Sequence, residues 1–155
     1  MQTPPQVELG LAASEDLPQL VALLSDLFTQ EADFTPRFER QSVALRAILA
    51  SPASGRIHVA RFEGQCVGMV NLLETISTAE GCPAVWLEDM VIAREWRGQG
   101  LGSRLLESAM LDCQQRGITR ITLLTDEDNL DAQRFYTRHG FARSKMVAYR
   151  KYLGE

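Results

Sequence analysis

The chain has 155 residues, 45% hydrophobic and 23% charged, a length and balance that suit one folded domain and exclude disordered, collagen-like and coiled-coil chains. Sixteen Lys and Arg stand against twenty Asp and Glu, a net charge of -4, so nothing draws the protein generally to nucleic acid or to an anionic membrane. No apolar run approaches the ~20 residues that cross a bilayer, and residues 1–10 carry neither a basic start nor an apolar stretch, so the expected location is cytoplasmic. In chain order, residues 7–11 read as a short strand after a loose start at 1–6. Ser14, Glu15 and Asp16 then precede Leu17, Leu20, Val21, Leu24, Leu27 and Phe28, a spacing that puts one apolar stripe on a helix. Thr35 and Pro36 open a second helix with Phe38, Ala44, Leu45, Ile48 and Leu49, which Ser51 and Pro52 close, because proline fits the first helical position but not the interior.

Residues 56–62 and 66–73 are β-rich runs joined through Glu63, Gly64 and Gln65, the pattern of an antiparallel hairpin. Residues 75–83 read as loose, and 85–92 as a third strand of the same sheet. Beyond it Arg97-Gly98-Gln99-Gly100-Leu101-Gly102-Ser103 leads into a helix with Leu101, Leu105, Leu106, Ala109, Met110 and Cys113 on one face, ending near Gly117. Residues 121–124 form another strand, Asp128 or Asn129 caps a helix carrying Phe135 and Tyr136, Gly140 stops it, and 141–152 supply a closing strand. The order β-α-α-β-β-β-α-β-α-β predicts an α/β chain with a mixed sheet, in a single domain over 1–155. Cys66, Cys82 and Cys113 are too few and too scattered for a disulfide framework or a CxxC motif. His58 and His139 show no metal-ligand spacing, and no metal is expected.

A helix N-terminus presents unpaired backbone N–H groups and the positive end of the dipole, and glycine lets a phosphate approach them closely. Gly98, Gly100 and Gly102 open such a rim, with Arg97 adding charge and Ser103 a hydroxyl. Glycines in a strand-to-helix turn also serve close packing alone, so the pattern has two readings. A Walker loop requires Lys then Ser or Thr after its last glycine, whereas Arg104 follows Ser103 here. A dinucleotide fingerprint requires a third glycine where Leu105 stands.

These residues resemble the GCN5-related N-acetyltransferases, which transfer an acetyl group from acetyl-coenzyme A to an amine. The turn 97–102 is similar to that family's Arg/Gln-x-x-Gly-x-Gly/Ala signature, the strand Leu87-Glu88-Asp89-Met90-Val91-Ile92 to its acetyl-CoA strand, and Asn129, Ala132, Phe135-Tyr136 and Gly140-Phe141 to its downstream helix. The resemblance implies the family's acyl-CoA N-acyltransferase fold, acetyl-CoA as co-substrate and an amine as partner. It further implies that Arg97, Gly98, Gln99, Gly100, Leu101, Gly102 and Ser103 hold the pyrophosphate, that Met90, Val91 and Ile92 pair with the pantetheine arm, and that Asn129 contacts the arm. A backbone N–H of the 90–92 stretch would polarise the acetyl carbonyl.

Transfer to an ammonium needs one proton removed before attack and gains from one delivered to the departing thiolate. Tyr136 is the candidate acid, since a phenol near its ordinary value of about 10 holds its proton more firmly than a thiol. Glu88 is the candidate base, directly or through water. Strand alternation sends Asp89 to the opposite face unless a bulge intervenes. The stretches 87–89 and 96–98 look most like the diamine and polyamine branch, which implies Glu31, Glu88 and Asp89 as contacts to a cationic amine, with Asp126, Glu127 and Asp128 available at its entrance. The family resemblance also implies a homodimer. The reading from a different class is a binding module that senses acetyl-CoA without transferring the group.

Overall fold

The computed structural model describes residues 6–30 and 38–154. They divide after Leu124 into two compact units.

The first unit opens with β1 (Glu8–Leu11), a single 3-10 turn at Ser14–Asp16 and α1 (Leu17–Gln30). Asp16 is buried; its carboxylate accepts from the Ala13 N–H at 2.7 Å and pairs with Arg61. The cap residue thus ties the start of the helix to the sheet. Helix α2 (Phe38–Ala50) follows, while Thr35 and Pro36, read as its opening, lie outside the described residues.

Strands β2 (Gly55–Phe62), β3 (Gln65–Ser77) and β4 (Cys82–Ile92) form an antiparallel meander, and β5 (Ile121–Leu123) adds parallel to β4, giving the order β1-β2-β3-β4-β5. Glu63 and Gly64 both take positive φ, 50° and 78°, the requirement of a two-residue turn whose twist matches the strands. Residues 75–83 depart from the sequence expectation. Thr75 to Ser77 and Cys82 to Pro83 stay in the ladder, and the turn closes through Gly81 N–H to the Ser77 carbonyl and Glu80 N–H to Ser77 Oγ. A hairpin hides this in sequence because its polar turn residues sit beside strand residues of similar polarity.

Both faces of the central strands are covered. On one, Leu20, Val21 and Leu24 of α1 and Leu45 of α2 pack on Ile57, Val59, Met69 and Val91. On the other lies α3 (Leu101–Gln115), burying Leu105, Leu106, Ala109 and Cys113. Each such leucine contributes roughly 1.5–3 kcal/mol by leaving water. Gly68 is a packing glycine there: a Cβ would meet Ile92 Cδ1 at 2.7 Å and Leu105 Cδ2 at 3.4 Å. Asp112 of α3 binds Arg56 at 3.0 Å and Arg116 at 3.1 Å and lies 3.4 Å from the buried His58, and Arg116 also pairs with Glu74. These contacts pin the far end of α3 to the sheet.

The second unit holds α4 (Leu130–Arg138), stopped by Gly140 at φ 87°. Residues 141–152, expected as a closing strand, carry no strand within that unit. A strand exists by pairing, and among the described residues of that unit no other strand is present.

Candidate active site

The site is built where β4 hands over to α3. Strand β5 pairs with β4 only through Val85, Trp86 and Leu87, so β4 runs on from Glu88 to Ile92 without a β5 residue beside it. The Ala93 N–H donates to the Val67 carbonyl on β3. Alternate residues of a strand point their N–H and C=O the same way, so Val91 and Asp89 face β3, whereas Met90 and Ile92 face away from it, toward the side on which β5 pairs with residues 85–87. Val91 supplies the core instead of the edge, a division that a continuous 90–92 contact does not anticipate.

The ladder also breaks its register within β4. Asn71 of β3 stands opposite Asp89, and the next residue, Leu72, stands opposite Leu87. Glu88 is the extra residue of a β-bulge, and it is exposed. The expectation that Glu88 and Asp89 point to opposite faces by simple alternation is therefore corrected. The register puts Asp89 on the face of Ile57, Asn71 and Val91. There Asp89 is half-buried and accepts a hydrogen bond from Asn71 Nδ2 at 3.0 Å. Burial raises its carboxyl above the usual range, Asn71 opposes that, and the Glu88 charge adds to it.

Past Ile92 a 3-10 turn, Arg94–Trp96, leads to the glycine turn. Gly98 and Gly100 take φ of 74° and 80°, and a Cβ added at either would meet nothing within 4 Å. Close packing is thus excluded as their purpose: the positive φ and the open space above them are what glycine provides. Gly100 is the N-cap of α3 and has no side chain of its own with which to cap that end. The Arg104 N–H makes the first helical bond, to the Gly100 carbonyl at 3.2 Å, so the backbone N–H groups of Leu101, Gly102 and Ser103 precede the helical ladder.

Arg97 is tied into the turn. Its Nε donates to the Ile92 carbonyl at 2.8 Å and its Nη2 to Asp26 of α1 at 2.7 Å, which fixes the turn against β4 and α1 and offsets its charge. Gln99 is likewise spent on the turn, donating to the Glu95 carbonyl. The glycine rim and the helix start present backbone beside these side chains. Beside the turn opens a cleft of about 430 Å³ lined by Leu23, Asp26, Cys66, Arg94 and Glu95 among others. Burial pushes the Cys66 thiol up to about 11, and burial also raises Cys113.

In the second unit Asn129 caps α4, its Oδ1 accepting from Ala132 N–H at 3.2 Å. The Tyr136 ring meets Phe135 at 5.2 Å and Phe141 at 5.5 Å between centroids, and burial pushes its phenol up to about 12. Asp126, Glu127 and Asp128 are exposed. Glu31 lies outside the described residues. Among the described residues no group of three His, Cys, Asp or Glu side chains is placed to hold a metal ion.

The sequence model described as "Acetyltransferase (GNAT) family" matches residues 17–141. The chain belongs to the GNAT family of acetyltransferases. The match spans the glycine turn, β4 and α4. The chain is 32% identical over 120 residues to an aminoglycoside N(6')-acetyltransferase type 1 of Serratia marcescens, covering 75% of this chain and 82% of that one. It is 31% identical over 140 residues to an aminoalkylphosphonate N-acetyltransferase of Salmonella typhimurium, covering 90% and 88%. Its fold matches that of an aminoglycoside N-acetyltransferase solved in complex with CoA, with a TM-score of 0.80 at 17% identity over 97% and 98% of the two chains. This GNAT chain is therefore an acyltransferase. Among its described residues no helix is long and apolar enough to cross a membrane.

Proposed function

We propose that the protein moves the acetyl group of acetyl-CoA to the primary amine of a small cationic acceptor, by direct attack with both substrates bound. The observation that carries this reading is the glycine turn, where two positive-φ glycines face open space at the start of a 15-residue helix. The backbone N–H groups of Leu101, Gly102 and Ser103 hold the pyrophosphate, as a helix start does. Backbone groups of Met90 and Ile92 bind the pantetheine amides in the manner of an added strand.

Acetyl-CoA supplies the thioester carbonyl that the amine attacks and the thiolate that leaves. A β4 backbone N–H, aimed at that carbonyl oxygen, contributes roughly 3 kcal/mol when charge develops on it. The bulge carboxylates Glu88 and Asp89 receive the ammonium, and one of them takes its proton; Glu88, exposed, meets it directly or through water. Tyr136 hydrogen-bonds the leaving sulfur and gives it a proton, a role its firmly protonated phenol suits. Asn129 contacts the coenzyme arm through the part of its amide that the helix cap leaves over. Direct attack is supported by the thiols: Cys66 and Cys113 are buried and held protonated, the opposite of an activated nucleophile.

The family relatives named above act, by their names, on aminoglycosides and aminoalkylphosphonates, both of which are amines. A net charge of -4 and the carboxylates at the bulge favour a cation. We place the enzyme in the cytoplasm as a homodimer, with the exposed Met146, Val147, Tyr149, Tyr152 and Leu153 as support for an interface; light scattering tests the dimer. The assay for the function is CoA release, followed with a thiol reagent, across polyamines, aminoglycosides, aminoalkylphosphonates, amino acids and short peptides. Amine-dependent release establishes the transfer. Acetyl-CoA binding with no release for any amine favours the sensing module instead.

A further inference from the structure

On the face of the sheet covered by α1 and α2, the ladder rungs on either side of the bulge are largely apolar. Met69 and Val91 form one, with Val59 beyond them. The next rung holds Ile57, Asn71 and Asp89. Asn71 is only 2% exposed. Its Nδ2 donates to Asp89 Oδ2, and its Oδ1 is buried with no hydrogen-bond partner among the described residues. An orphaned buried acceptor is destabilising, and an apolar residue in its place would avoid that cost.

The two protonation states of Asp89 account for the arrangement. A carboxylate beside a primary amide can only accept, and it uses Nδ2. A carboxylic acid beside the same amide can also donate, and the buried Oδ1 offers such an O–H an acceptor. One amide therefore serves both states of one carboxyl group.

We infer that Asn71 is a positioning residue for proton removal, and that Asp89, held by Asn71 at the β4 bulge, rather than Glu88, takes the proton of the acceptor ammonium. This rests on the acetyl-transfer reading. In the step, one N–H bond of the ammonium breaks and its electron pair stays on nitrogen. An O–H bond forms on Asp89 and turns to Asn71 Oδ1. The free amine attacks, and Asp89 returns its proton to solvent after product leaves. Glu88 remains on the bulge as the charge that attracts the ammonium.

Among the described residues, the charge that acts on Asp89 is that of Glu88. Glu88 is the neighbour on its own strand, Asn71 and Ile57 are the neutral neighbours across the ladder, and Asp26 of α1 is committed to Arg94 and Arg97. The Asn71 bond is what lowers the carboxyl against burial and Glu88, so its loss must move Asp89 upward.

The test uses the full chain, with uniform ¹³C-aspartate labelling and Asp89→Asn to assign the resonance. In the free enzyme, the Asp89 carboxyl of Asn71→Leu titrates at higher pH than in the wild type. The acidic limb of kcat/KM for the amine moves the same way, with unchanged acetyl-CoA affinity. Asp89→Asn, isosteric and able to keep a bond to Asn71, loses kcat/KM by a factor on the order of 10²–10⁴ and loses that limb, while Glu88→Gln keeps it. Should Asn71→Leu fold poorly, the Asp89→Asn and Glu88→Gln profiles decide alone. An acidic limb that disappears in Glu88→Gln and persists in Asp89→Asn overturns the inference, as does an Asp89 resonance unmoved in Asn71→Leu. If the wild type transfers acetyl to no amine, the acetyl-transfer reading fails first, and the NMR titration still reports on the pair.

Discussion

Replacing Gly100 by alanine separates a phosphate cradle from a turn that merely folds. At φ 80° a residue with a β-carbon costs roughly 1–2 kcal/mol in backbone strain. No neighbour lies within 4 Å of the new Cβ, so no steric clash adds to it. For a chain of this size the strain lowers Tm by about 2–8 °C. In the proposed cradle the same methyl group would stand in the space of the coenzyme pyrophosphate, and a loss of about 1.4 kcal/mol in contact is tenfold in Kd. Gly64 is the control: it too has a positive φ, 78°, and open space at its Cβ, but it sits in the β2–β3 hairpin turn. Calorimetric titration with acetyl-CoA and thermal scans of both variants give the comparison. Gly64→Ala loses a similar amount of stability and keeps full affinity, whereas Gly100→Ala loses both, and Gly100→Glu loses binding altogether. Equal affinities in the two alanine variants would remove the glycine turn from coenzyme binding.

Tyr136→Phe lowers kcat for amine acetylation while acetyl-CoA affinity stays close to the wild type. Because the phenol is pushed up to about 12, the wild-type rate shows no fall from Tyr136 ionisation below about pH 11; unchanged turnover in the variant would take Tyr136 out of the reaction. Glu88→Gln raises the amine KM, and by removing the neighbouring charge that raises Asp89 it moves the acidic limb of kcat/KM to lower pH, read from a pH series. Stability depends on the buried His58, whose pKa burial lowers from 6.5 although Asp112 opposes it. The unfolded chain then binds the extra proton, so the stability is fully present above the ordinary histidine value and is lost as pH falls below it. Thermal scans between pH 5 and 8 show that loss in the wild type and a flatter curve in His58→Gln.

Periodicity carried the helices well because their stripes are one-sided. Leu101, Leu105, Leu106, Ala109 and Cys113 are buried on α3 as their spacing implies. The hairpin at Glu63 and Gly64 was equally legible, since positive φ demands particular residues. Register was not. Nothing in Leu87-Glu88-Asp89 announces a bulge, which arises from how β4 meets both β3 and β5, and it is the bulge that decides where each carboxylate points. Asn71 left no signal either: within an apolar run it reads as an interruption, and its meaning comes from Asp89, 18 positions away in sequence. The partners of Arg97 were not legible either: its motif position suggests an anion, while its bonds to Ile92 and Asp26 are set by tertiary packing. The closing strand at 141–152 depended on a partner that composition cannot supply.

The account stands most directly on transfer of labelled acetyl from acetyl-CoA to a primary amine, followed by mass spectrometry of the acceptor, in the wild type and in Gly100→Glu. It predicts acetylated amine and one CoA released for each with the wild type, and neither with the variant. Labelled amine formed equally by both proteins, or acetyl-CoA left intact by the wild type in the presence of every amine class, would contradict it.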